Sequence, residues 1–257
     1  INNGNGFSTT RINILKRMAD SIWSVKQNAY VILEHWCDNS EEKQLAEYGM
    51  MLWGNVTSGY QNAAKGYIAN SSLMNGIYTN RTWTLPHLIT YMESHDEERL
   101  MFEAITYGNA INPSHNAKDP YTALGRMQGL AVSFLTQPGP RMIWQFGEIG
   151  YDISIDYPCR TCNKPILWNY LQQGRRQQLL DVYKATLALR NNYETFRSLN
   201  FQASLGAGIK RMIMNHSSMN GISLVNVDVN VASAIPAFQH TGWWYEYFTG
   251  DSINVTN

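Results

Sequence analysis

Short apolar runs alternate with longer amphipathic stretches through the first two hundred residues. From Thr9 or Thr10, "TRINILKRMADSIWSV" sets Ile12, Leu15, Met18 and Ile22 at helical spacing behind a threonine cap. "AYVILEHW" follows as a β-branched run of the kind found in buried strands, and "SEEKQLAEYG" reads as a short helix capped by Ser40, with acids in its first turn. "MMLWGN" is the next strand, "SGYQNAAKGYIAN" the next helix, and "HLITYM" a third strand. After a polar excursion, "YTALGRMQGLAVSFLTQ" puts Leu124, Met127, Ala131 and Phe134 on one face, and "PGP" at 138–140 stops it. "RMIWQF" is a fourth strand. "RRQQLLDVYKATLALR" is a fifth helix, with Leu180, Tyr183 and Leu187 in register.

Strands apolar on both faces and separated by helices predict a parallel sheet. Four strands and five helices amount to about half of a (β/α)8 barrel. After Asn200 the pattern changes. "SLVNVDVNV" alternates Val225, Val227, Val229 and Val231 with polar residues, "NG" at 220–221 fits a hairpin turn back to "IKRMIMN", and "GWWYEYFTGD" reads as strand and turn. The expected fold class is therefore α/β: residues 1–199 as a half barrel, residues 200–257 as a small antiparallel β domain, with the aromatics at 243–248 filling it.

Composition narrows the function. Hydrophobic residues make up 44% of the 257 and charged residues only 16%, with a formal charge of zero. Nothing in that balance points to nucleic acid or an anionic membrane surface as partner. No apolar run approaches the ~20 residues of a membrane span. Eight Trp and fifteen Tyr suit stacking on sugar faces as well as core filling. The opening "INNGNGFSTT" has neither a signal peptide nor an initiator Met, reads as the inside of a loop, and predicts a chain that is part of something longer. Cys159 and Cys162, between Pro158 and Pro165, read as a local disulfide or two loop thiols rather than half a zinc ribbon; Cys37 is left unpaired.

In barrels of this kind, catalytic groups stand where strands end. Glu34 follows "YVIL", Asp96 follows "LITYMESH" and Glu148 follows "MIWQFG", so three strands send carboxylates toward one rim; "GEIG" reads equally as a structural turn. Two carboxylates across a sugar bond are what glycoside hydrolysis requires, one donating a proton and the other supporting an oxocarbenium-like carbon. Glu34, His35, His95 and Asp96 are also metal-ligand types. Neighbours on a strand face opposite ways, however, and "MMLWGN" offers no ligand, which makes metal hydrolysis the weaker reading. Trp36 shares a strand face with Glu34, while Trp53 reads as core. Glu93, Glu97, Glu98 and Arg99 read as a local salt-bridged loop, each pair worth little if exposed.

"YVILEHW", "YMESHDEERL" and "PRMIWQFGEIGYD" resemble the last blocks of the α-amylase family of retaining glycoside hydrolases, and "GYDISIDY…NKPILWNY" is similar to its bacterial amylases. The resemblance implies strands five to eight of the (β/α)8 TIM barrel followed by the start of a C-terminal β-sandwich. It implies Glu34 as general acid/base, Asp96 as transition-state stabiliser and His95 as the partner of a sugar hydroxyl. Apart from the resemblance, Trp36, two residues past Glu34, is placed either to stack on a sugar in a leaving-group subsite or to pack on the next loop, and His35 is a further substrate-binding candidate. It implies an α-glucan polysaccharide or oligosaccharide as partner, no cofactor or metal for the chemistry, a structural calcium at most, and an extracellular or periplasmic setting.

The family's nucleophile, an Asp inside a Gly-Phe-Arg-x-Asp-like string, has no counterpart here. The expectation is a fragment whose nucleophile comes from a missing N-terminal barrel half, on the same polypeptide or a second chain. The alternatives are a glucan transferase or branching enzyme of the same family and a non-catalytic starch-binding remnant.

Overall fold

The computed structural model describes residues 5–256; the first four residues of the opening segment, expected as loop, lie outside the described residues, as does Asn257. Six helices and nine strands run in chain order among them. Helix α1 (Thr9–Val25) is capped by Ser8, whose hydroxyl accepts from the Arg11 N–H at 3.3 Å, and not by a threonine. Strand β1 (Ile32–Leu33) leads to α2 (Asn39–Tyr48), β2 (Met51–Asn55), α3 (Thr57–Lys65) and β3 (Leu88–Tyr91). The cap of α2 is Asp38, two residues earlier than the expected Ser40, because its carboxylate accepts the Ser40 N–H at 2.8 Å. Helices α4 (Leu100–Tyr107) and α5 (Pro120–Leu135) precede β4 (Arg141–Met142), and α6 (Gly174–Asn192) follows it.

The four strands form one sheet in the order β1-β2-β3-β4, every pair parallel. Helical crossovers are what parallel pairing demands. At the centre the sheet matches its sequence pattern, since all four residues of β3 are buried. At the edges it does not. Strands β1 and β4 shrink to two residues each, and Ile32 is 50% exposed. On α1, Ile12 is buried, but Met18 and Ile22 are 55% and 43% exposed, although they share its apolar face. An edge strand loses the neighbour that would order its outer residues, and β1 and β4 shorten accordingly.

Strands β5 (Phe201–Ser204), β6 (Ile209–Met214) and β7 (Gly221–Asn226) make an antiparallel sheet, and β8 (Gly242–Tyr245) pairs with β9 (Ser252–Val255) in a separate ribbon. Among the described residues these are two sheets, not a closed sandwich. Trp243, Tyr245, Tyr247 and Phe248, expected as filling, are exposed; Trp244 alone of the paired Trp residues is half-buried, stacked on His240. The "NG" turn is also corrected. Gly221 already pairs with Met214, so a longer loop joins β6 to β7.

The three-stranded sheet shares its core with the helices. Leu205, Met212, Met214 and Val227 pack in one cluster with Tyr60, Leu130 and Phe134. The expected strand through Val231 stops at Asn226; Val227 and Val229 instead bury their side chains beyond β7, and Val231 is fully exposed. Arg126 on α5 holds this seam. Its guanidinium donates to the carbonyls of Ala63 and Ala64 at the end of α3, at 2.6 and 2.9 Å, and to those of Val227 and Asp228, at 2.5 and 3.1 Å. Burial lowers its pKa to about 10.

Candidate active site

Beyond β1 the chain stays extended, and its exposure alternates residue by residue: Glu34 and Trp36 are exposed, His35 and Cys37 more sheltered. Glu34 and Trp36 therefore look out from one side. His35 looks the other way, and its Nε2 donates to Glu41 Oε1 at 2.9 Å. Glu41 is fully buried and saturated: Arg11 donates to both its oxygens at 2.6 and 2.8 Å, and the Ser8 N–H adds a bond at 2.7 Å. Burial works to raise this carboxyl, yet the bonds from Arg11, Ser8 and His35 outweigh it and hold the pKa below the ordinary value. The structure thus does not bring His35 to Glu34.

The charge-rich segment after β3 divides into a frame and a display. Glu93 is buried, accepting from Arg99 Nη1 at 3.2 Å and from the Leu100 N–H at 2.7 Å, which anchors the start of α4. Burial pushes its pKa up, against the pull of Arg99 and that N–H. Arg99 is buried too, donating to the Gln145 carbonyl at 3.1 Å, so this pair is a core feature and not the exposed loop bridge expected from sequence. Glu97 accepts from Asn55 at the end of β2 and from Ser94. Glu98 accepts from the Ser154 hydroxyl at 2.7 Å and the Ile155 N–H at 2.9 Å. Four of the charges build the loop. His95 and Asp96 are the two it exposes.

These two meet Glu34. His95 Nε2 lies 3.3 Å from Asp96 Oδ2 and 3.9 Å from Glu34 Oε1, with Glu34 45% and Asp96 62% exposed at their side chains. Two aromatic rings flank the imidazole, Trp53 with centroids 5.9 Å apart and Trp144 at 6.2 Å. Trp53 is not core: it alternates with the buried Leu52 and Gly54 and lies edge-on to Tyr91 at 5.3 Å. Trp144, two residues past β4, carried no signal in the sequence beyond its run. The Tyr91 phenol records the local field, its pKa raised by burial and further by Glu97, Glu34 and Asp96. Glu148 sits in a short turn, Gly147–Ile149; the buried Tyr183 phenol is raised by burial, then by Glu93 and Glu148, and Glu148 is not among the side chains whose donor atoms gather with those of Glu34 and Asp96.

Two groups of ligand-type side chains have donor atoms within 4.8 Å of one another: Glu34 with His95 and Asp96, and His35 with Cys37 and Glu41. Calcium takes roughly six to eight oxygen ligands. The first group offers an imidazole nitrogen and only two carboxylates, and in the second both Glu41 oxygens are engaged by Arg11. Neither donor set fits a structural calcium.

No family model and no curated protein matches the sequence. Solved structures do. An α-amylase from Anoxybacillus aligns over 96% of this chain and 52% of its own, at 17% identity and a TM-score of 0.65. The Geobacillus thermoleovorans α-amylase complexed with acarbose aligns over 98% and 55%, at 15% identity and 0.65. AmyP in complex with maltose aligns over 95% and 58%, at 12% and 0.65. The chain thus spans little more than half the length of these three structures. At such identities the likeness is one of architecture, and the architecture is that of α-amylase-family glycoside hydrolases.

Proposed function

We propose that this chain carries the acid half of an α-glucan hydrolase that works with retention, and that it needs a further carboxylate to do so. The observation that carries the reading is the exposed group of Glu34, His95 and Asp96, gathered from the ends of two different strands while the neighbouring charges are consumed by the loop. Glu34 donates its proton to the leaving oxygen and takes one back from water in the second step. Asp96 stays ionised beside the carbon that becomes oxocarbenium-like, and His95 bonds a sugar hydroxyl. Trp36, exposed on the same side as Glu34, offers a ring to the leaving-group sugar.

Retention needs a nucleophilic carboxylate about 5–5.5 Å from the acid. The nucleophile string of the resembled family does not occur in these 257 residues, so we assign that role to a complementary barrel half. The half-exposed Ile32, Met18 and Ile22 support a partner of that kind, because covering the remaining half of each such side chain stabilises by about 1 kcal/mol. No metal takes part in these steps. The Cys159–Cys162 disulfide supports an oxidising, extracellular or periplasmic setting.

The test is complementation. Residues 1–257 alone should leave starch intact and self-associate in solution; adding a polypeptide with the first four strands of such a barrel should yield a cleaving complex with retained anomeric configuration. A monomer that cleaves starch unaided would overturn the division of labour and turn attention to Asp96, whose carboxylate has an oxygen within 4.8 Å of Glu34's, as nucleophile.

A further inference from the structure

We propose that Arg160 is a positioning residue for Asp96, reaching it from the disulfide-closed loop between β4 and α6. The proposal rests on the reading of Asp96 given above. Both backbone polar groups of Asp96 are held. Its N–H donates to the Ser94 hydroxyl at 3.1 Å, inside its own loop, and its carbonyl accepts from Arg160 Nη2, sixty-four residues away. The carboxylate itself is mostly exposed. Beyond the His95 ring, 3.3 Å from one of its oxygens, what aims it is the peptide on either side, and Arg160 fixes one of those peptides.

Arg160 stands on a short, strongly tied loop. Cys159 and Cys162 are joined, and the Cys162 N–H donates to the Cys159 carbonyl at 3.1 Å. Lys164 fills the centre of the loop, its ammonium donating to the carbonyls of Ile155, Tyr157 and Cys159, the last two at 3.1 and 2.8 Å. Glu98 binds the loop entrance at Ser154 and Ile155. Loops 94–98 and 154–164 are thus tied at both ends of their contact, by Glu98 on one side and Arg160 on the other. A bridge between residues only three apart closes too small a loop to add much global stability, so its value is local order. Arg160 is 53% exposed at its side chain and pairs with Asp156 at 3.4 Å, a surface interaction that stabilises the fold little. Misplacing a catalytic group by about 1 Å, in contrast, costs on the order of 10² in rate. The structure therefore separates positioning from folding.

The experiment compares Arg160→Ala, Arg160→Lys and the double variant Cys159→Ser/Cys162→Ser in the assembled enzyme. Each is measured for kcat and KM on a maltooligosaccharide and for hydrogen exchange of the 94–98 amides. Reduction of the unsubstituted protein by a dithiol gives a fourth sample: the dithiol supplies two electrons and two protons, both cysteine sulfurs become thiols, and the dithiol closes to its own disulfide. Arg160→Ala should lower kcat about 10-fold with KM little changed, and speed exchange at 94–98 while α5 stays protected. Arg160→Lys, which keeps a donor, should recover most of both. Opening the loop by either route should reproduce the faster exchange in part. Unchanged exchange at 94–98 in Arg160→Ala overturns the proposal whether or not any sample is active. A rise in KM with kcat intact also overturns it, because Arg160 would then touch substrate. If no sample cleaves glucan but exchange responds as stated, the hydrolase reading fails and the tether stands.

Discussion

On one side of the extended segment that follows Leu33, Glu34 faces His95 and Asp96; on the other, His35 faces Glu41 and Arg11. Both clusters pair imidazole with carboxylate. They differ in what is left unbonded. Glu41 is buried with both oxygens taken by Arg11, Ser8 and His35, whereas Glu34 and Asp96 are exposed, with the imidazole as their shared neighbour. A charge whose bonds are already made holds the fold together. A charge with open acceptor sites facing a rim can take a ligand. Residue type does not distinguish the two clusters, but bonding state does.

The comparison breaks most readily at Glu34. Glu34→Gln keeps the shape and removes the proton, so turnover of polymeric glucan by the assembled enzyme should fall by about 10² or more, with the thermal midpoint unmoved. A substrate whose leaving group needs no protonation should be spared in its first step; steady-state kinetics on both would show it, and equal losses would take the donor role from Glu34. Asp96→Asn comes next. It should lower kcat by at least about 10-fold while oligosaccharide binding, followed by calorimetry, changes little. Near-normal turnover would make that loop merely structural.

Across the segment the pattern should invert. Glu41→Gln should cost stability, since it removes the ionised acceptor of two buried hydrogen bonds, while turnover per folded molecule stays within about twofold. The pKa of Glu41 is held down in the fold, so its contribution is fully present above the ordinary carboxylate range and is lost as pH falls through the lowered value. Thermal midpoints measured toward acid pH should therefore fall less steeply in the variant than in the parent. The smallest effect belongs to His115, whose Nε2 accepts from Arg126 Nη1 at 3.0 Å and so must be neutral. Burial, and then Arg126, lower its pKa; Asp228 is the acid that acts on the same guanidinium. That bond stabilises fully above the ordinary histidine value and weakens as pH drops below it. Going from about pH 7 to pH 5 should lower the midpoint by no more than about 2 °C from this source, and His115→Ala should remove that increment.

Much of this was legible from spacing. The parallel sheet, helices α1, α2, α5 and α6, and the meeting of Glu34 with Asp96 follow from apolar runs that end in charge, whereas Glu148, read from the same pattern, lies in the turn Gly147–Ile149, and the sugar-binding role of His95 entered only through the resemblance. Helix α4 was not legible, because Leu100–Tyr107 is apolar on most sides and has no local capping side chain, its first N–H being taken by Glu93 seven residues earlier. Met18 and Ile22 carry the helical period yet remain bare, since a period reports which face is apolar and not what covers it. The exchange of Glu93 and Arg99 from surface to core, and the reach of Arg160 to Asp96, depend on loop paths that no local pattern encodes.

Arg126 bears on inheritance. The grammar of the sequence changes near residue 200, which invites the β strands to be treated as a cassette. Yet one guanidinium on α5 serves carbonyls on α3 and carbonyls just past β7. Val227 fills the same core as Leu130. A recombination event that exchanged everything after residue 200 with a distant relative would leave Arg126 facing acceptors it had not been matched to, and a hole where Val227 had been. Lineages should therefore pass the tail on together with the helix that grips it, and successful natural grafts should carry both.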